Sequence, residues 1–316
     1  MDLVDPAMRA VLERLAAQRA GLPERYGLPF PEARAQLLVE REPWLADGPH
    51  CPCETTSTEV DGRTLRMRVY RPATIAGARR LVYLHGGGWC VGSPATHDNI
   101  VRRLAVGLGC EAWSIDYALA PEAPYPAGLI DAVAAIRAAK RDCPDGALVV
   151  AGDSAGANLA LDAARALRGD RHVSIDRLLL FYGVYTDATD DASMDAFGDG
   201  RWGLSRAAHE RYLAAYRGNT APPGGRPITF ALDDDVELRG MPPVYATVAA
   251  LDILRDQQHA LVAKLHRQGV AVTLHEVPGV VHGFLSYGQA LPQAGAALKA
   301  ACAWVLSAPI KGLVTD

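Results

Sequence analysis

No stretch of eighteen consecutive apolar residues occurs in this chain, which excludes a membrane-spanning helix of ordinary length. Its first residues, Met1-Asp2-Leu3-Val4-Asp5-Pro6, lack the basic start and apolar centre of a secretion signal, so a cytoplasmic location is expected. Positive charge is not in excess either. A net charge of -4 and a pI near 6.1 offer no general attraction to nucleic acid or to an anionic membrane, so neither is expected as a partner. Paired Cys-x-x-Cys motifs are missing from the six cysteines, which are Cys51, Cys53, Cys90, Cys110, Cys143 and Cys302. The one close pair, Cys51-Pro52-Cys53, has no histidine nearby, so unpaired thiols are expected, with no metal. Cys90 reads as a small apolar filler, and Asp233-Asp234-Asp235 as a solvated turn. Internal repeats and low-complexity tracts are also absent.

What the chain does have is apolar material in a regular order. At 316 residues and 49% hydrophobic it can bury a large core, and one α/β sheet with a cap can use the whole length. Two helical patterns come first, at 7–19 and 31–40, separated by Pro23 and Pro29. Alternation in Thr64 to Tyr70 suits an edge strand with one wet face. From Leu81 the pattern becomes strand, helix, strand: 81–84, 94–108, 111–115, 127–140, 147–151. That order implies a mostly parallel sheet flanked by helices, with a further strand at 177–182. Alternation then stops for Val184 to Pro227, a segment rich in Asp, Gly and Pro that carries Tyr185, Phe197, Trp202, Tyr212 and Tyr216. An insertion of this length between sheet elements reads as a lid or binding segment. The expected division is therefore 1–45 as an N-terminal helical segment, 184–227 as an insertion, and 46–183 with 228–316 as the core.

Chemistry enters at Gly152-Asp153-Ser154-Ala155-Gly156, placed between the apolar run 147–151 and a helical pattern from Asn158 to Leu167. A G-x-S-x-G at that junction forces a sharp turn that lifts the serine hydroxyl into a cleft. A serine hydroxyl is a weak nucleophile and needs a base, which in turn needs a partner to orient it. Asp252 ends the strand-like run 243–251, and His282 follows the next such run, 272–277. Both fall at strand ends, where sites in such sheets collect. Asp256 and His275 compete for these roles; the first reads as a helix-capping or solvated residue, the second as a strand histidine. Upstream, the run 80–84 leads into His85-Gly86-Gly87-Gly88-Trp89. With no Lys-Ser/Thr after it, this is not a Walker loop. Its N–H groups suit the oxyanion of acyl transfer, and the donors are expected to be Gly86, Gly87 and Ala155. His85 either fixes this loop by a hydrogen bond or is simply packed. Trp89, Phe197, Trp202 and Phe284 are the candidates for the substrate pocket.

These motifs, with Asp116-Tyr117-Ala118-Leu119-Ala120-Pro121-Glu122 and Asp252-Ile253-Leu254-Arg255-Asp256, resemble those of the hormone-sensitive-lipase-like esterases, the bacterial family IV carboxylesterases of the α/β-hydrolase fold. The resemblance spans the chain from about residue 60 onward, and it implies that 1–45 is the N-terminal helical part of a cap and 184–227 its second part. It implies hydrolysis of short-chain acyl esters by Ser154, His282 and Asp252, with no cofactor, and homodimer pairing through a final strand near 272–277. Departures are Ile253 for a family proline, Ala157 for a glycine, Cys90 for an aliphatic residue and Ala118 for an arginine. The same triad also serves amide deacetylation or acyl transfer to a small molecule. A non-catalytic ligand receptor on this scaffold is disfavoured because Ser154, Asp252 and His282 are all present.

Overall fold

A computed structural model describes residues 3–218 and 228–307. Eight strands form one sheet: β1 (Cys53–Val60), β2 (Arg63–Tyr70), β3 (Arg79–Leu84), β4 (Glu111–Ile115), β5 (Ala147–Asp153), β6 (Arg177–Phe181), β7 (Val244–Leu251) and β8 (Val272–Val281). Their spatial order is β1-β2-β4-β3-β5-β6-β7-β8. β1 and β2 pair antiparallel, β2 joins β4 antiparallel, and every later pairing is parallel. Parallel strands linked by crossover helices are covered on both faces, so they read as continuous apolar runs. Every residue of β3 and β5 is buried. Even Arg80 is folded down in β3, its charge met by Glu111 at 2.9 Å and Asp142 at 2.7 Å.

The helices that connect them are α3 (Asp98–Leu108), α4 (Ala127–Asp142), α5 (Ala155–Ala166) and α8 (Arg255–Arg267), and α9 (Pro292–Ser307) follows the last strand. α5 is the central one. Its ten residues from Ala155 to Ala164 are all buried, and five of them are alanine, which lets the helix lie close against the sheet. In α3 the apolar residues Ile100, Val101, Leu104, Ala105 and Leu108 make one face.

Two features differ from the sequence expectation. The strand at 64–70 is not an edge: β1 lies outside it. β1, Cys-Glu-Thr-Thr-Ser-Thr-Glu-Val, buries only Val60, so no alternation of apolar residues announced it. The insertion, described to residue 218, contains α6 (Ala192–Phe197) and α7 (Arg206–Arg217); residues 219–227 of it lie outside the described residues.

Ahead of the sheet stand α1 (Pro6–Arg19), a 3₁₀ turn (Arg25–Gly27) and α2 (Phe30–Leu45). Asp5 caps α1 by accepting the Ala7 N–H at 2.8 Å, and its own N–H donates to Gly279 O at 3.0 Å, which ties the N-terminal segment to β8. β3, β5, β7 and β8 all end at the same edge of the sheet. α1, α2 and α7 lie over that edge.

Candidate active site

Ser154 stands between β5 and α5 with φ 53° and ψ -122°, a region that costs a non-glycine residue about 1–3 kcal/mol. The surroundings impose it. The Ser154 N–H donates to Phe181 O of the neighbouring strand at 2.9 Å. A Cβ on Gly152 would lie 2.3 Å from Gly156 O, and one on Gly156 would lie 2.0 Å from Leu84 O. Only hydrogen fits at both positions, so the chain reverses there and the hydroxyl points away from the sheet.

From two strand ends along the same edge come the base and its partner. His282, directly after β8, places Nε2 2.9 Å from Ser154 Oγ and Nδ1 2.8 Å from Asp252 Oδ2. Asp252, directly after β7, is fully buried. Its Oδ1 accepts the Leu254 N–H at 2.9 Å and its Oδ2 also accepts from Gln258 Nε2 at 3.4 Å. The carboxylate is thereby fixed in orientation, and an Nδ1–H on His282 leaves Nε2 free to accept the serine proton. The two competing residues lie elsewhere. Asp256 accepts the Ser193 N–H at 2.8 Å at the start of α6, and His275 shares a hydrogen bond of 2.8 Å with Tyr245.

The glycine loop departs from expectation in one donor. Gly86 gives its N–H to Asp153 Oδ1 at 2.8 Å, so that donor is not open to a substrate. Among the described residues the N–H groups of Gly87, Gly88 and Ala155 donate to no protein acceptor, and these glycines line the same cavity as Ser154. The expected pair Gly86 and Gly87 is thus replaced by Gly87 and Gly88. The residue type in the pentapeptide explains the shift, because Asp153 is a buried carboxylate that needs donors. It also accepts from Tyr83 Oη at 2.6 Å and has His97 Nε2 at 3.5 Å. Burial pushes its pKa up, but the His97 charge and the hydrogen bonds from His97, Tyr83 and Gly86 outweigh this and hold it at about 2.

His85 makes the hydrogen bond that the sequence left open, from Nδ1 to Gly86 O at 2.9 Å. Its ring stacks on Tyr117, whose hydroxyl donates to His85 O at 2.7 Å. Burial, then the neighbouring His97, lowers its pKa to about 3, so it stays neutral. Trp89 closes the loop: Nε1 donates to Asn158 Oδ1 at 3.2 Å, and the indole stacks on Tyr216 at 4.3 Å. Arg34 of α2 braces the far side through Cys90 O at 2.7 Å and Ala120 O at 2.9 Å, and pairs with Glu122. Cys90 itself packs among Ala33, Leu37 and Val91, away from Ser154; burial pushes its thiol up to about 12. Ala118, a departure from the family motif, gives its N–H to Asp131 Oδ2 at 2.9 Å, and Asp131 also takes an ion pair from Arg63.

A cavity of about 300 Å³ opens above Ser154 and His282. Of the four aromatic pocket candidates, Trp89 lines it. Phe197, Trp202 and Phe284 do not. Phe197 and Trp202 pack edge to face at 6.4 Å, with Arg255 over Phe197, and Phe284 lies behind the site against Tyr182. Phe197 and Phe284 are buried in the core, and Trp202 packs partly buried against it. The walls that the sequence reading missed are Leu12, Leu15, Ala16 and Arg19 of α1, Leu37 and Arg41 of α2, and His209 and Tyr212 of α7. A signal was available: 12, 15, 16 and 19 share one helical face, as do 37 and 41. His209 is buried with Nε2 unpartnered, and burial, then the nearby His282, lowers its pKa to about 4. Among the described residues no group of three or more His, Cys, Asp or Glu side chains is placed to hold a metal.

The sequence model of a family described as having the alpha/beta hydrolase fold matches residues 81–286, more than half of the chain. An acetyl esterase of Salmonella typhi is 34% identical over 275 residues, covering 84% of this chain and 83% of that protein. Among solved structures, an alpha/beta hydrolase from the metagenome of Lake Arreo superposes with a TM-score of 0.84 at 31% identity, covering 95% of this chain and 96% of the other. An esterase of Pyrobaculum calidifontis gives 0.85 at 28% identity over 96% and 98%. Likeness over nearly the whole length reaches both the sheet and the segments above it, and the chain belongs to the alpha/beta-hydrolase family as a carboxylesterase of the hormone-sensitive-lipase-like kind.

Proposed function

We propose that this protein hydrolyses short-chain acyl esters through an acyl-enzyme formed on Ser154. The observation that carries the reading is the unbroken chain Ser154 Oγ to His282 Nε2 at 2.9 Å and His282 Nδ1 to Asp252 at 2.8 Å, with three unused N–H donors beside the serine. Ser154 Oγ attacks the ester carbonyl as His282 takes its proton, and Asp252 steadies the imidazolium. The N–H groups of Gly87, Gly88 and Ala155 receive the oxyanion, each worth a few kcal/mol of barrier. His282 then gives the proton to the leaving alcohol, and a water activated the same way releases the acid. Neither step needs a metal or an organic cofactor.

A cavity near 300 Å³ is at the small end for ligand sites, which supports a short acyl group, as does the acetyl esterase named above. In this reading residues 1–45 and 184–227 act together as the cap and 46–183 with 228–316 as the catalytic core. Six unpaired thiols support a reducing, cytoplasmic setting, and no described helix is long and apolar enough to cross a membrane. The remaining part of the reading is a homodimer paired along β8.

The test is hydrolysis of p-nitrophenyl esters from acetate to palmitate by the wild type and by Ser154→Ala. Activity is expected to peak at acyl chains of up to about six carbons and to fall to background in the variant. A wild type no faster than Ser154→Ala refutes the esterase reading, and an optimum at palmitate refutes the short-chain part.

A further inference from the structure

The cavity over Ser154 carries a group that a neutral ester leaves unused: an arginine wall. Arg19 at the end of α1, Arg25 in the 3₁₀ turn and Arg41 in α2 all line it. One buried carboxylate, Glu40, serves the first two, at 2.8 Å from Arg19 and 3.4 Å from Arg25. A fourth arginine, Arg201, is paired with Asp199. The carboxylate lining the cavity, Asp153, is committed to Gly86, Tyr83 and His97.

Arg41 is different. Among the described residues no carboxylate lies within ion-pairing distance of it. Its guanidinium rests 5.4 Å from the centroid of the Tyr287 ring, half-buried in the cavity wall. It is also close to the chemistry: a Cβ built on Gly283, the residue after His282, would lie 3.9 Å from Arg41 Nη2. A half-desolvated guanidinium held against an aromatic face, close to the base and paired with no carboxylate of the described residues, suits an anionic group on the substrate. A carboxylate fits it best, because two parallel N–H···O bonds match the fork of the side chain.

We propose that the natural substrate bears a carboxylate in addition to its ester, and that Arg41 docks that carboxylate with Arg19 and Arg25 reinforcing the field. The proposal rests on the esterase reading and specifies the substrate class of that same site. Arg41 is here a specificity residue: it sets which ester is held over Ser154 and takes no part in bond making.

Two substrate pairs that differ in charge and hardly in shape test it: meta-carboxyphenyl acetate against meta-carbamoylphenyl acetate, and monoethyl adipate against its monoamide ethyl ester. The first pair puts the carboxylate on the alcohol, the second on the acyl group. In the wild type, kcat/KM for the anion is expected to exceed that for its neutral partner by about tenfold or more in at least one pair, mainly through KM. Arg41→Gln should bring that ratio near one, and Arg41→Lys should keep part of it. For the wild type alone, raising salt to about 0.5 M should shrink the ratio, which keeps the test open if a variant does not fold. Ratios at or below one in both pairs overturn the proposal, as does a ratio that Arg41→Gln leaves intact. Hydrolysis of the p-nitrophenyl esters with none of these four turned over also overturns the proposal, whereas failure on the p-nitrophenyl esters as well is a different result, because it removes the esterase reading itself.

Discussion

Replacing Asp252 by Asn tests how much the site depends on orientation as against attraction. The amide keeps the size and can keep the bond from the Leu254 N–H, but it offers an NH₂ where the carboxylate held the His282 Nδ1–H. The imidazole then favours the tautomer whose Nε2 already carries the proton. kcat is expected to fall by about 10³- to 10⁴-fold with a stability near that of the wild type, read by esterase assay and thermal melt together. Gly152→Ala makes the opposite prediction. Its Cβ would stand 2.3 Å from Gly156 O, a backbone atom that cannot step aside, so the change should cost at least about 1–3 kcal/mol by urea denaturation, with activity falling alongside. The residue scale is also where the sequence was read best and where it misled. Ser154 and Asp252 each close a strand that an apolar run marks, and His282 follows the β-branched pattern of the next strand, so their meeting could be inferred from chain order. The donor Gly86 could not, since its loss depends on Asp153 folding back beneath the loop, a contact between residues 67 apart that no local pattern carries.

Between elements, the cap segments are held to each other as well as to the sheet. Arg211 of α7 donates to Tyr26 O and to Leu28 O, the two carbonyls that flank the start of the link into α2, and its guanidinium lies 4.2 Å from the Phe30 ring centroid. Tyr212 next to it packs against Tyr26 at 6.2 Å. Arg211→Ala removes both carbonyl partners without touching Ser154. We expect a several-fold rise in KM, a smaller change in kcat, and faster proteolytic cutting between residues 20 and 30, with little loss in Tm, because the sheet and α5 bury most of the core. Arg211→Lys should recover one of the two contacts and about half of the effect. An unchanged cutting rate would show that α7 and the N-terminal segment are not coupled through this residue. Elements of the sheet were legible because strands buried on both faces read as apolar runs and lie between turns. β1 was not, since an exposed outer strand of Glu, Thr and Ser has no apolar face to show. α6 was hidden because six residues are too few to show a helical period, whereas α7 buries Ala208, His209, Tyr212, Leu213 and Tyr216 along one face, a stripe set inside a segment otherwise rich in Asp, Gly and Pro.

For the whole molecule, burial of titratable groups sets how stability must respond to acid. His85 and His209 are held neutral, with pKa values of about 3 and about 4 against 6.5 for an open histidine. The unfolded chain therefore takes up two protons below pH 6.5 that the folded chain refuses, so the stability these residues contribute is complete above pH 6.5 and is lost as pH falls toward 4 and 3. Asp162 acts the other way. Burial raises it to about 6, and Arg165 and Asn158 only partly offset this, so its contribution is complete below pH 3.8 and is lost as pH rises through 6. Asp153, held at about 2, begins to cost stability only below pH 3.8. From pH 6.5 to 4 the two histidines outweigh the one aspartate, and at about 1.4 kcal/mol per unit of displacement the net loss is on the order of 4 kcal/mol. Urea denaturation at pH 7 and pH 4 should show that fall. His209→Gln should flatten it by the share of one histidine, because glutamine keeps a polar side chain in the cavity wall but takes up no proton in the unfolded chain. A slope that stays the same in His209→Gln would mean that His209 takes up its proton as readily in the folded protein as in the unfolded chain. The cavity would then gain a cation near His282 as pH falls below 6.5, in addition to the arginines of its wall.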